Sequence, residues 1–167
     1  LYLLSLFILH KKQKNTMNKQ PFNFASVPPT WALCFNDSCP IKKTCMRYFV
    51  GKNLPADQTN GPSVYPNAQQ KESCKHFVEK RIIRAAWGFS QLFLNVKRVD
   101  DTPLRNEIKQ YLGGHGTYYR YMHGECTLTP QQQQWILNLF RRYGYTENLA
   151  FDNYTDRFAF EEVNTSV

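Results

Sequence analysis

The 167-residue chain carries 21 Lys and Arg against 13 Asp and Glu, a net charge of +8, and five cysteines. That length suits a small cysteine-rich subdomain joined to a modest α+β domain. An odd number of cysteines with no export signal argues against a disulfide framework and for thiolates in a reducing compartment, so a cytoplasmic protein is expected.

The opening LYLLSLFILHKK is almost wholly apolar before two lysines. A signal peptide places its basic residues ahead of the apolar run, and a membrane span needs about 20 apolar residues. Residues 1–16 are therefore read as upstream sequence or a disordered extension rather than an anchor, with Met17 as a plausible start. No membrane association is expected.

Residues 17–76 form the cysteine-rich segment. Its lead-in PFNFASVPPT is extended, because Pro28 and Pro29 remove backbone donors and restrict their neighbours. Cys34, Cys39 and Cys45 follow with the spacing C-x4-C-x5-C. After Gly51 the chain reads as a long loop, with Pro55, Pro62, Pro66 and an Asn60-Gly61 turn signal. A loop of that length inside a compact domain needs pinning, and a metal tying Cys74 back to the other three would pin it. Four soft thiolates suit tetrahedral zinc. Lys42 and Lys43 offset the charge of such a centre, and His76 is a substitute ligand. An iron-sulfur cluster uses the same four thiolates, and Cys39-Pro40 echoes the Cys-Pro step common near such clusters. Plain buried thiols are the third reading.

Residues 77–155 are expected to form the α+β domain. Ile82 to Trp87 reads as a buried strand, followed by a short helix with Ser90 as N-cap. A second helix starts at Asp101-Thr102-Pro103, sets Leu104, Ile108, Tyr111 and Leu112 on one face, and stops at Gly113-Gly114. Those glycines follow a helix instead of preceding one, which opposes a phosphate-loop reading of GGHG. TYYRYMHGECTL reads as a β-hairpin turning at His123-Gly124, with Tyr121 opposite Cys126 and Tyr119 opposite Leu128 on the buried face. Cys126 is accordingly left out of the metal set. The last helix opens with Thr129 as N-cap and Gln132 as its capping-box partner, and carries Trp135, Ile136, Leu139, Phe140 and Tyr143 as an apolar stripe. Residues 156–167 form an acidic tail.

Tyr118 and Arg120 on the other hairpin face, with Arg141 and Arg142 at the end of the last helix, make a candidate surface for single-stranded nucleic acid or an acidic protein partner. The plainer alternative covers Tyr118 with helices and pairs Arg120 with Glu125 or the tail. His115 and His123 lack the paired carboxylate or nucleophile that acid–base catalysis would need.

With WALCFNDSCPIKKTCMRY, AAWGFSQLF, YLGGHGTYYRYMHGE and LTPQQQQWILNLFRRYGY in order, the sequence resembles a family of small proteins of unknown function from anaerobic gut bacteria, over roughly Phe22 to Tyr154. The resemblance implies a bacterial, cytoplasmic protein and brings no activity or ligand with it. The expectation is a metal-stapled binding module with a regulatory role, the alternative an iron-sulfur redox protein or enzyme.

Overall fold

The computed structural model describes residues 22–71 and 73–161. The 1–16 extension and the 162–167 end of the expected tail lie outside the described residues. The architecture is α+β, as expected. In chain order the first elements are β1 (Leu33–Cys34), helix α1 (Met46–Lys52), β2 (Ser63–Val64), β3 (Gln69–Gln70) and β4 (Ser73–Cys74). Then come β5 (Ile82–Trp87), α2 (Ser90–Phe93), α3 (Arg98–Tyr111), α4 (His115–Met122), α5 (Pro130–Arg142) and β6 (Asn153–Phe158).

β5 and β6 make an antiparallel ribbon running from Ile82 opposite Phe158 to Trp87 opposite Asn153. Two apolar clusters form around it. Ala86, Phe89 and Phe151 join Leu104, Ile108, Tyr118, Ile136, Leu139 and Phe140 in the helical core. Toward the other end, Phe160, with Phe158 packed alongside, closes over Leu33, Met46, Val50 and Val78 in a core that belongs to the cysteine-rich segment. The ribbon therefore carries both cores, and residues 158–160 couple the C-terminal stretch to the N-terminal one. Short pairings complete the first half: β1 with β2 in parallel, and β3 with β4 antiparallel.

The strand over 82–87 and the capping box of α5 are as expected, with Thr129 accepting from the Gln132 N–H at 3.3 Å and Gln132 accepting from the Thr129 N–H at 2.9 Å. Besides the start of the expected tail, where 156–158 belong to β6, three readings change. The hairpin over 117–128 is replaced by α4, entered through Gly114 at φ 118°. Tyr118, Tyr121 and Met122 stand at i, i+3 and i+4, the spacing of one helical face, and Tyr118 stacks on Phe89 at 5.0 Å. An alternating reading of TYYRYM mistook the period. Residue 128 still meets β5, through reciprocal backbone bonds between Leu128 and Ala86 of 2.7 and 3.2 Å.

The second change is at α2, whose N-cap is Phe89, not Ser90. Its capping group arrives from across the ribbon: the Asp152 carboxylate accepts from the N–H groups of Ser90 at 3.0 Å and Gln91 at 2.7 Å. The third is α3, which begins at Arg98 and holds Pro103 inside it.

Candidate functional site

Each of the four cysteines is delivered by a different local device. Cys34 ends β1, which is pressed so closely on α1 that a Cβ added to Gly51 would lie 2.4 Å from the Cys34 carbonyl oxygen. Cys39 closes a turn, its N–H donating to Asn36 O at 3.3 Å while the Asn36 side chain accepts from the Ser38 N–H at 3.0 Å. Cys45 is the N-cap residue of α1 and pairs with Glu79 in an isolated antiparallel bridge, flanked by Met46 N–H to Val78 O and Lys80 N–H to Thr44 O, both 2.7 Å. Cys74 lies in β4 opposite Gln69, and the Gln69 side chain accepts from Asn36 Nδ2 at 3.1 Å. That last bond ties the Cys34–Cys39 loop directly to the hairpin that carries Cys74.

One cation holds the arrangement together. Arg47, on α1, lies over the Trp31 ring at 4.1 Å, donates from Nη1 to Ala32 O at 2.9 Å and from Nε to His76 O at 2.8 Å. It joins the chain just before β1, the helix after Cys45 and the turn after Cys74.

All four cysteines line a single cavity of about 20 Å³, together with Lys42, Arg47, Tyr48 and His76. That volume is room for one water-sized body. Burial pushes the Cys34 thiol up; the Asn36 N–H aimed at its sulfur opposes this, and Cys45, Cys39 and Cys74 each push it up further. The other three cysteines act on Cys34 because they lie close to it, around the same cavity. An N–H directed at sulfur favours thiolate over thiol, the form a metal takes. All five cysteines are free thiols.

The donor set and the cavity size fit a thiolate-held ion. The sulfurs do not stand closed around one: among the described residues no group of three or more His, Cys, Asp or Glu is arranged to hold a metal. Bonds of about 2.3 Å from four sulfurs to one ion would require this loop cluster to contract. Cys126 does not line the cavity; its N–H donates to Arg120 O at 3.1 Å, at the end of α4.

The expected aromatic and basic surface is not assembled. Tyr118 is 1% exposed, in the helical core, with its hydroxyl accepting from Arg105 Nη1 at 2.9 Å. Arg120 is exposed and 3.7 Å from Glu125, the pairing that the plainer alternative anticipated. Arg142 reaches Glu107 at 3.4 Å, and Arg141 donates to Asn138 at 2.7 Å.

Two features escaped sequence reading. Beside the cysteine turn, the Tyr48 hydroxyl and Lys52 hold the Asp37 carboxyl below its ordinary range, and Lys42 donates to the Asp37 carbonyl. On the far side of Arg47 lies a groove of about 290 Å³ whose lining includes Tyr65, Lys75 and His76. Its only advance signal was a tyrosine set among loop prolines, which is no signal of position.

Among the described residues no helix is long and apolar enough to cross a membrane. No curated protein and no solved structure matches the chain. A family model does match residues 17–160, nearly the whole described region, and the chain belongs to that family, a family of unknown function (DUF6078).

Proposed function

We propose that this protein is a small binding module whose N-terminal half is stapled by one zinc ion on Cys34, Cys39, Cys45 and Cys74, and which contacts nucleic acid or an acidic protein surface in a regulatory role. The observation carrying this reading is the convergence of three cysteines from residues 34–45 and a fourth from β4 on one cavity of about 20 Å³. Four sulfurs match the soft tetrahedral preference of zinc and close its coordination sphere, so the ion serves structure and has no open position for a reacting water. Lys42 and Arg47 line the same cavity and offset the negative charge of a four-thiolate centre. His76 lines it too and is the substitute ligand.

Metal binding free energy is folding free energy where a segment has little core of its own. The loop between α1 and β4 is such a segment, since its strands are two residues long. Free thiols throughout accord with a reducing, cytoplasmic setting. A net charge of +8 favours a polyanionic or acidic partner.

Metal analysis of the intact protein, purified without oxygen, tests the reading. One equivalent of zinc in a colourless protein is expected. A brown protein with thiolate-to-iron absorbance transfers the site to the iron-sulfur alternative. Protein that neither retains nor takes up either metal overturns the staple.

A further inference from the structure

Successive pairs in an antiparallel ladder alternate between residues that bond each other and residues whose backbone groups point outward. Ala86 directs both of its groups to Leu128, donating at 3.2 Å and accepting at 2.7 Å, so they point away from β6. The groups of its cross-strand partner Tyr154 then point away from β5, and by alternation so do those of Asp156, opposite Arg84, and Phe158, opposite Ile82. The bond from Ala159 N–H to Arg81 O at 3.0 Å, one position beyond, fits the same alternation. On the β5 side the outward groups are met: Leu128 covers Ala86, and Gln133 Nε2 donates to Arg84 O at 2.8 Å. On the β6 side the Phe158 carbonyl accepts from Arg157 Nη1 at 3.0 Å, whereas among the described residues no hydrogen bond reaches the backbone of Tyr154 or Asp156 from that side. Both residues are exposed, Tyr154 by 40%.

We infer that this edge is a dimer interface, at which β6 pairs antiparallel with β6 of a second copy of the chain about an axis at Thr155. The inference goes beyond the binding-module reading and does not depend on it.

Charge chooses the register. A two-fold axis at Asp156 or at Arg157 sets that charge against itself, and an axis at Tyr154 sets Asp156 against Asp152 of the second copy. Like charges directly opposite are destabilising. An axis at Thr155 sets threonine against threonine, a favourable cross-strand pair, with Tyr154 against Asp156 and Asn153 against Arg157 of the second copy. The same register supplies Asp156 with a cation. Within its own chain Asp156 stands across from Arg84, yet no ion pair joins the two among the described residues, and Arg84 lies over the Tyr154 ring at 5.0 Å. An Asp156 arriving opposite Tyr154 from the second copy meets that guanidinium on the same face of the sheet, and the two-fold axis repeats the contact.

Each pairing of Tyr154 with Asp156 exchanges two backbone bonds, about four for the interface. Two ribbons of two strands, the kind of sheet that is marginal alone, become one sheet of four. Because Leu128 and Gln133 cover the outer side of β5, growth stops at the dimer. An edge this short is smaller than a permanent interface, so the dimer is expected to form and dissociate with concentration.

Sedimentation velocity of the intact, reduced protein, from micromolar to near-millimolar concentration, provides the test. A concentration-dependent shift from monomer to dimer is expected. Asp156→Pro removes an outward N–H and none that bonds β5, so it should weaken the dimer at least about tenfold. Arg84→Glu and Asp156→Lys should each weaken it too, and an equimolar mixture of those two variants should restore it, because the mixed pair again sets opposite charges together. Lost folding would not be repaired by mixing. Amide exchange of Tyr154 and Asp156 should slow as concentration rises, while that of Thr155 and Arg157, already bonded to β5, changes far less. Protein that stays monomeric throughout, or a dimer that Asp156→Pro leaves at full strength, overturns the inference. Failure of the mixture to restore the dimer overturns it as well.

Discussion

Arg47 shows how much of the site hangs on single side chains. It is buried, stacked on Trp31, and satisfies carbonyls from two other segments. Arg47→Ala removes the stack and leaves the Ala32 and His76 carbonyls without their donor, a cost of about 2–4 kcal/mol that urea unfolding will show. The cysteines sort just as sharply. Ser in place of Cys34, Cys39, Cys45 or Cys74 should cut bound metal to well under one equivalent, while Cys126→Ser retains it, as metal analysis will report. At high pH a different pair of contacts matters. Hydrogen bonds to Glu107 and Asp100 push the Tyr143 and Tyr145 hydroxyls up from the ordinary tyrosine range. A group whose folded pKa is raised contributes stability that is complete below its unfolded pKa, about 10, and is lost as pH rises through the folded value. The Tyr143→Phe, Tyr145→Phe double variant should accordingly lose part of its stability at neutral pH and show a flatter alkaline limb in thermal melts against pH. The four cysteines stood out in the sequence by residue type and spacing, and the fold brings them to one cavity. Arg47 was not, since one arginine in a basic chain looks like any other until Trp31, Ala32 and His76 surround it.

Among the elements, α5 was read correctly from local signals. The Thr129–Gln132 capping box and the apolar stripe of α5 lie within one helix, so neighbouring residues specify them. Thr129→Ala should cost about 1 kcal/mol by denaturant unfolding, the usual price of an N-cap. The strand β6 was missed because NYTDRF is polar and acquires its identity only from β5, some 70 residues earlier in the chain. Helix α4 was misread because its tyrosines fit both a period of two and a helical face, and only Phe89 and Arg105, from other elements, decide between them. The close approach of α1 to β1 at Gly51 gives a further expectation. Gly51→Ala should separate the two elements, destabilise the protein by about 1–3 kcal/mol and weaken metal retention, because it moves Cys34 relative to Cys45.

At the scale of the whole molecule, the β5–β6 ribbon carries two cores of different character. The helical one is large and apolar throughout. The other is smaller and is completed by Phe158 and Phe160 from the far end of the chain. Loss of metal should therefore act unevenly: hydrogen exchange after chelation is expected to speed up for residues 33–78, while α3 and α5 keep their protection. The division expected near residue 76 left out the return of the chain's end to the first half, which depends on a pairing no local pattern encodes. The central claim is that the sulfurs of Cys34, Cys39 and Cys45 and that of the distant Cys74 hold one ion, and X-ray absorption at the zinc edge of the intact protein tests it most directly. The account predicts a first shell of four sulfurs at about 2.3 Å. A first shell dominated by nitrogen and oxygen, or protein that takes up no zinc, would contradict it.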